Sequence, residues 1–258
     1  MKVPTYQKDL SRESPILLDE TYKGPKIAKM LAVLTAAEII KDEIKLPLAL
    51  DIGCSAGFFT RSLSPYFTQV IGVDIDSHAL PIAQENTMQD NVSFMFGDSQ
   101  RLPLGDQSVD LVICNHVYEH VPSAEVLFEE IYRVLKPNAV CYLGAASRLT
   151  LIEPHYHLPF LSWLPKPLAH RYMRLAGKGQ YYYECLRTLY GIKRLVKCFH
   201  IEDFTLKVIE DPDRYRARDL MPEGSLIDKV PMGLWRLIYD YLPSYIFILR
   251  KPAESDDS

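Results

Sequence analysis

A glycine-rich turn between an apolar strand and the start of a helix constrains this chain more than any other feature. The turn lies in residues 48–60, which read Leu-Ala-Leu-Asp-Ile-Gly-Cys-Ser-Ala-Gly-Phe-Phe-Thr. Glycine has no Cβ, so Gly53 and Gly57 allow the backbone to turn tightly and approach a ligand closely, while Asp51 closes the strand. The dinucleotide fingerprint G-x-G-x-x-G is absent, because Ser55 occupies the middle position of an Asp-x-Gly-x-x-x-Gly pattern. The sequence therefore predicts a nucleotide-cofactor loop without a pyrophosphate cradle.

Three further strand-like segments follow the turn, and each ends in a polar residue. Residues 69–76 read as a buried strand that ends in Asp74, 17 residues after Gly57. A carboxylate at such a strand end can accept hydrogen bonds from both hydroxyls of a ribose. The next two strands are followed by Asp98 and Asn115. Ligands of open parallel sheets bind beyond the carboxyl ends of the strands, so these residues are predicted to lie at one site.

These motifs, in this order, resemble those of the class I S-adenosylmethionine-dependent methyltransferases of the small-molecule type, over residues 25–150. The resemblance implies S-adenosyl-L-methionine as the cofactor, with Asp98 near the adenine amino group. The Leu-Lys-Pro sequence at residues 135–137 is also similar to the family. The predicted cofactor-binding residues are Asp51, Gly53, Cys54, Ser55, Gly57, Asp74, Ile75, Asp98, Ser99 and Asn115.

Charge and cysteine content restrict the partners and the compartment. The 258 residues include 29 basic and 33 acidic side chains, for a net charge of −4, and the pI is near 6.0. This balance argues against a nucleic-acid partner. The resemblance implies a small-molecule acceptor instead. The five cysteines form no C-x-x-C pair, and no signal-like segment opens the chain. Reduced thiols in a cytoplasmic protein are the expectation, with the oligomeric state undetermined.

The order of apolar and amphipathic segments predicts an α/β fold. Strands are predicted at 46–52, 69–74, 92–96, 108–114 and 139–145, and helices at 25–41, 57–64, 78–88 and 123–136. Strict alternation of this kind indicates a parallel sheet with helices on both faces. A helix at 190–199 is predicted to precede strands at 204–209 and 245–249. In the family, the last two strands form an antiparallel pair at the sheet edge.

The fold class is therefore a Rossmann-like, seven-stranded, mostly parallel sheet with a helical lid insertion after the fifth strand. We expect a single methyltransferase domain over residues 1–258. Its parts are a cofactor-binding core at 24–147, a lid at 148–189, and a C-terminal part of the sheet at 190–250 that contains a second insertion at 211–243.

Three histidines are the candidate catalytic residues. His116 follows the fourth strand, and His155 and His157 follow the fifth, so all three are expected to face the cofactor cleft. Methyl transfer mainly requires alignment of the acceptor and removal of its proton, which a neutral imidazole can accept. A hydroxyl acceptor on a sugar, a phenol or a lipid-linked molecule is predicted. The apolar run at 158–168 is interpreted as lid packing, with a peripheral lipid contact as a second interpretation.

Two metal interpretations concern the sequence His-Val-Tyr-Glu-His at residues 116–120. It matches the H-x-x-E-H zinc pattern, but its place at a strand end argues against a zinc hydrolase. Some quinone-pathway and RNA-terminal methyltransferases have an E-x-x-E-H metal site at this place, and here His116 replaces the first glutamate. The sequence alone assigns no metal ligands, and it leaves metal-assisted activation of a hydroxyl open.

The same motifs leave two competing functions to be tested. One is a methyltransferase-like protein that binds the cofactor without turnover, which only product formation can distinguish from an enzyme. The second is a nicotinamide dehydrogenase, which the missing G-x-G-x-x-G fingerprint disfavours.

Overall fold

A seven-stranded sheet forms the centre of the computed structural model, which describes residues 10–253. The strand order is β3-β2-β1-β4-β5-β7-β6. Strands β1 to β5 are parallel to one another, and β7 is antiparallel to both β5 and β6. The strands are β1 (Leu46–Ile52), β2 (Phe67–Asp74), β3 (Val92–Phe96), β4 (Val109–Asn115), β5 (Leu135–Ala146), β6 (His200–Asp203) and β7 (Ser244–Arg250). The predicted Rossmann-like sheet and its antiparallel edge pair are confirmed.

The helices connect these strands and cover both faces of the sheet. They are α1 (Leu10–Glu13), α2 (Glu20–Ala36), α3 (Phe58–Ser62), α4 (Ala79–Glu85), α5 (Ala124–Val134), α6 (Lys166–Leu175), α7 (Leu189–Leu195), α8 (Thr205–Glu210) and α9 (Met232–Leu237). Helix α2 begins five residues before the predicted start, because the Asp19 side chain accepts hydrogen bonds from the backbone N–H groups of Thr21 and Tyr22. Within residues 10–253, no helix is long and apolar enough to cross a membrane.

Parallel pairing brings four strand ends to one edge of the sheet. Ile52 of β1 lies beside Val73 of β2 and Cys114 of β4, while Asp74 lies beside Phe96 of β3. The loops that carry the predicted cofactor residues therefore start side by side. This is where a doubly wound sheet binds its ligands.

Separate apolar clusters hold the two faces and the lid. Helix α5 buries Leu127, Ile131 and Val134 against one face of the sheet, and α2 buries Met30 and Leu34 against the other. A third cluster belongs to residues 148–189, called the lid segment here, and consists of Leu158, Leu161, Ala169, Met173 and Tyr182. The lid segment thus has an apolar core of its own.

The predicted strand at 204–209 is wrong. The edge strand is β6, four residues earlier, and residues 205–210 form helix α8. The Asp203 side chain accepts a hydrogen bond from the Thr205 N–H and so favours a helix start. Phe204, Thr205 and Val208 are buried with helical spacing rather than on alternate positions. Edge strands are commonly short and polar, which is why residues 200–203 give no strand signal in the sequence.

Candidate active site

The glycine turn after β1 has the backbone conformation that its sequence predicts. Gly53, Ser55 and Gly57 all have positive φ, at 69°, 49° and 77°. A Cβ on Gly57 would lie 2.4 Å from Cζ of Phe94, and one on Gly53 would lie 2.8 Å from a methyl carbon of Val117. Side chains at these two positions would therefore clash with strand β3 and with the loop after β4. The turn needs glycine for both its curvature and its close packing.

Asp51 anchors the turn from inside the sheet. Its side chain is buried and accepts a 2.6 Å hydrogen bond from the Thr60 hydroxyl, on helix α3. Burial raises its pKa to about 7, although the Thr60 hydrogen bond favours the ionised form. A nearby positive group would stabilise the ionised form of an aspartate in this environment. It therefore suits a ligand that carries an ammonium.

Asp74 joins the end of β2 to the same turn. One carboxylate oxygen accepts a 2.6 Å hydrogen bond from the Ser55 N–H, and the other accepts a 2.8 Å bond from the Asp76 N–H. Burial raises the pKa of Asp74 against these backbone hydrogen bonds. Each carboxylate oxygen can accept more than one hydrogen bond, so Asp74 can hold the turn and still bind a hydroxyl pair.

The remaining predicted cofactor residues lie at the ends of β2, β3 and β4 or just after them. Asp98 and Ser99 lie in the loop after β3, where Asp98 accepts a hydrogen bond from the Gln100 N–H. Ile75 follows Asp74 and is partly exposed. Asn115 ends β4 and needs a glycine beside it on β5, because a Cβ on Gly144 would lie 2.0 Å from the Asn115 side-chain oxygen.

A small cavity brings predicted and unpredicted residues together. Its lining includes the predicted residues Asp51, Gly53, Cys54, Ser55 and Asn115. The Ser55 hydroxyl is buried and has no hydrogen-bond partner in residues 10–253, so it is available to a ligand. Leu17 and Lys23 also line the cavity, which sequence reasoning missed because they lie in the N-terminal segment.

Lys23 is the cation of this cavity. Burial and then the neighbouring charge of Lys26 lower its pKa to about 8, against the opposing charges of Asp51 and Asp74. The ammonium therefore stays mostly protonated at neutral pH. With Asp51, it gives the cavity one cationic and one acidic side chain, an arrangement that matches the zwitterionic end of an amino acid.

His116 follows Asn115 in a left-handed conformation, with φ of 57°. Its N–H donates a 2.8 Å hydrogen bond to the Gly144 carbonyl oxygen, which fixes the backbone there. Its Nδ1 lies 3.2 Å from Oε1 of Glu119, and the His116 side chain is 38% exposed while that of Glu119 is fully buried. If Nδ1 carries the proton and donates to Glu119, Nε2 is left as an acceptor.

Further acidic and imidazole groups lie next to this pair, in a set that we call the acid–histidine cluster: His116, Glu119, His120, Glu153 and His155. Nδ1 of His155 lies 2.6 Å from Oε1 of the buried Glu153. The rings of His120 and His155 meet edge to face, with centroids 5.0 Å apart. The cluster joins the loop after β4 to the lid segment.

Burial and neighbouring charges shift the pKa values of the residues in the cluster. Burial lowers the pKa of His120 to about 4 and outweighs the charge of Glu119. For His155 burial acts in the same direction, but the hydrogen bond and charge of Glu153 outweigh it and raise the pKa to about 9. Burial opposes ionisation of Glu119, yet the contact with His116 and the charges of the three histidines lower its pKa. Histidines only a few ångströms apart therefore differ in protonation.

The other lid residues lie outside the cluster. His157 is exposed and makes no side-chain hydrogen bond, ion pair or ring contact with it, as far as the described residues show. Its catalytic role stays a prediction. Tyr182 is buried in the lid core. The run at 158–168 contributes Leu158 and Leu161 to that core but leaves Phe160 49% exposed, so lid packing has direct support and the lipid contact stays a prediction.

Comparison with known proteins finds the same fold and a methyltransferase domain in part of the chain. Residues 50–143 match the family described as a methyltransferase domain. A demethylmenaquinone methyltransferase of Lactobacillus johnsonii is 35% identical over 122 residues, which are 45% of this chain and 48% of that protein. The chain spans between 20% and 48% of the length of the first curated relatives that it matches.

Two solved structures have a similar fold at low sequence identity. The YcgJ protein from Bacillus subtilis aligns with a TM-score of 0.52 at 17% identity, covering 88% of this chain and 99% of that one. Phosphoethanolamine N-methyltransferase 2 of Haemonchus contortus, bound to phosphomonomethylethanolamine and S-adenosylhomocysteine, aligns with a TM-score of 0.51 at 20% identity. The match covers 86% of this chain and 52% of that one.

Proposed function

Because this chain carries a class I S-adenosylmethionine-dependent methyltransferase domain, we propose that it transfers a methyl group to a hydroxyl of a small-molecule acceptor. The proposal rests on one observation: two polar sites lie next to each other at the end of β4. Asn115 lines the cofactor cavity, and the next residue, His116, begins the acid–histidine cluster. A donor site and a proton-accepting group thus adjoin at the end of β4.

The cavity residues fit S-adenosyl-L-methionine. When bound, this cofactor supplies a methyl group activated by a sulfonium. In this proposal Asp74 accepts hydrogen bonds from the ribose hydroxyls, and Asp98 accepts one from the adenine amino group. Asp51 and Lys23 complement the ammonium and carboxylate of the amino-acid end. The unpartnered Ser55 hydroxyl, beside glycines that admit no Cβ, supports a ligand at this turn.

His116 is the proposed general base. Its Nε2 accepts the proton of the acceptor hydroxyl while Glu119, bonded at Nδ1, holds the ring and stabilises the imidazolium that forms. Glu119 is thus a positioning residue. Sugar, phenolic and lipid-linked hydroxyls all suit this chemistry. The five unpaired cysteines agree with a cytoplasmic location.

Product formation tests the proposal. Purified protein is incubated with methyl-labelled S-adenosylmethionine and a panel of catechols, quinols and glycosides, and label in an extracted product is measured. We expect O-methylated product from at least one of these chemical classes. A protein that binds S-adenosylhomocysteine but transfers label to none of them would agree with cofactor binding without turnover. Methylation at nitrogen or carbon would contradict the hydroxyl assignment.

Replacing Asp74 with alanine tests the ribose site. The substitution removes charge-assisted hydrogen bonds worth about 1.5–3 kcal/mol, so the Kd for S-adenosylhomocysteine should rise about tenfold or more. Calorimetric titration measures it, with Asp90→Ala as a control at an exposed aspartate before β3. An unchanged Kd in Asp74→Ala would place the ribose elsewhere.

Replacing Lys23 with alanine separates the amino-acid end of the cofactor from its nucleoside end. Loss of one charge-assisted hydrogen bond should weaken S-adenosylhomocysteine about tenfold. Methylthioadenosine lacks the amino-acid carboxylate, so its affinity should stay within about twofold. Lys26→Ala removes the same charge from the same helix, where Lys26 lies over the Tyr22 ring, and serves as the control. Equal weakening of both ligands by Lys23→Ala would refute the assignment.

A further inference from the structure

The acid–histidine cluster contains more ligand atoms than proton removal requires. Glu119, His120 and His155 each offer one ligand atom, and these atoms lie within 4.8 Å of one another. Glu119 and His120 come from the loop after β4, whereas His155 comes from the lid segment, 35 residues further along the chain. We propose that these three side chains form a binding site for a divalent transition-metal ion, with Zn²⁺ as the best-fitting ion.

A buried carboxylate oxygen at the centre of the cluster lacks a partner. Oε1 of Glu119 contacts His116, but Oε2 is buried and has no hydrogen-bond partner in residues 10–253, and Glu119 as a whole is 1% exposed. An unpaired buried carboxylate oxygen is costly, and native proteins rarely retain one. A cation bound at this oxygen would satisfy it.

The hydrogen bond between Glu153 and His155 has the arrangement of an outer-shell contact in metal proteins. Metal-binding histidines commonly donate their second ring N–H to a carboxylate, which fixes the tautomer and the ring orientation. Here Glu153 engages Nδ1 of His155, so Nε2 is the nitrogen left to bind an ion. Glu153 itself is held by the backbone N–H groups of His155 and Tyr156, which donate to its second oxygen.

The ligand set selects the class of ion. Two imidazoles and one carboxylate are a catalytic zinc set, with a fourth position open to water or substrate. Ligand atoms about 2.1 Å from one tetrahedral ion lie about 3.4 Å apart, so the three side chains must draw together by about an ångström. Side-chain torsions allow this movement, because the His155 side chain is 27% exposed and not tightly enclosed.

An ion here would act on the acceptor, a role that rests on the proposed function. His116 contacts the same Glu119, so an acceptor hydroxyl at the open position would lie near the proposed base. A bound divalent ion lowers the pKa of an oxygen ligand and orients it. The cavity at the glycine turn is lined by Lys23, Asp51 and Asn115 among others, and none of the three ligands lines it. Cofactor binding should therefore be independent of the ion.

Metal titration of tag-free protein after exhaustive treatment with chelator tests the inference. We expect one Zn²⁺ per chain by calorimetry, and visible absorption from Co²⁺ bound at the same site. Glu119→Gln and His155→Ala should each lower the Zn²⁺ affinity by at least about a hundredfold, since each removes a direct ligand, whereas loss of an outer-shell partner typically costs about 10–100-fold. His157→Ala, on the same lid segment, is the control and should bind Zn²⁺ like the wild type.

Titration with S-adenosylhomocysteine separates this inference from the proposed function. All variants should keep wild-type affinity for it, with or without Zn²⁺, which also shows that they are folded. Absence of Zn²⁺ and Co²⁺ binding in the wild type, or equal binding in wild type and His155→Ala, would overturn the metal site while leaving methyl transfer by His116 intact. Zn²⁺ binding without any methyl transfer would overturn the proposed function but would still support the metal site.

Discussion

Replacing residues 151–183 by a short glycine–serine linker should lower methyl transfer by at least about 10³-fold while the affinity for S-adenosylhomocysteine changes only a few fold. The exchange removes Glu153, His155 and the proposed acceptor wall, so the acceptor would no longer be aligned with the base His116. The cavity at the glycine turn, where we propose that the cofactor binds, has no residue from this segment in its lining. Turnover with labelled cofactor and calorimetric titration measure the two effects.

The chain is suited to this exchange because the ends of the lid segment already meet. The Arg148 N–H donates a 2.9 Å hydrogen bond to the Arg187 carbonyl oxygen, so a short linker can close the gap. The apolar core of the segment is separate from the two clusters that hold the sheet. If the exchanged protein lost cofactor affinity and turnover to the same extent, the lid segment would be part of the structural core and not the acceptor site.

Replacing His116 with alanine should reduce kcat by about 10²–10⁴, the usual contribution of a general base, with the Kd for S-adenosylhomocysteine nearly unchanged. The ring is fixed by its contact with Glu119 and partly exposed on its other side, as proton transfer requires. Steady-state kinetics with the acceptor identified from the panel measures the change. Because the backbone there is left-handed, His116→Asn, which tolerates that conformation, is the second variant and should lose activity equally.

His200→Ala provides the matched control for His116→Ala, since it removes an exposed imidazole from the edge strand β6. It should keep turnover within about twofold, the scale of a surface substitution away from the chemistry. Full activity in both His116 variants would show that His116 is not the general base. In that case an acceptor that is already ionised, or one that needs no deprotonation, would be indicated.

Most of the sheet was predictable because its central strands are buried on both faces. Strands β1, β2 and β4 each contain four consecutive buried residues, nearly all of them apolar. Helix caps such as Ser123 before α5 mark where the following helices begin. The edge strand β6 was not predictable in this way. It is short and polar, and the apolar run that follows it is buried on one face of a helix.

The site was predictable where its residues lie close together in the sequence. The glycine turn and Asp74 belong to motifs whose spacing indicates their contacts, and the structure does join Asp74 to Ser55. Lys23 and Glu153 belong to no such motif. They reach the site through the packing of the N-terminal segment and the lid, which spacing along the chain does not encode. Glu119 was visible in the sequence, but its contact with His116 depends on the left-handed turn there.

Calorimetric titration with S-adenosylhomocysteine and, separately, with NADH tests the central claim most directly. We expect one S-adenosylhomocysteine per chain without added metal, and no heat of binding for NADH, because the turn around Gly53 and Gly57 lacks the pyrophosphate fingerprint. Binding of NADH in preference to S-adenosylhomocysteine would contradict the assignment of the cofactor and, with it, the methyltransferase function proposed for this chain.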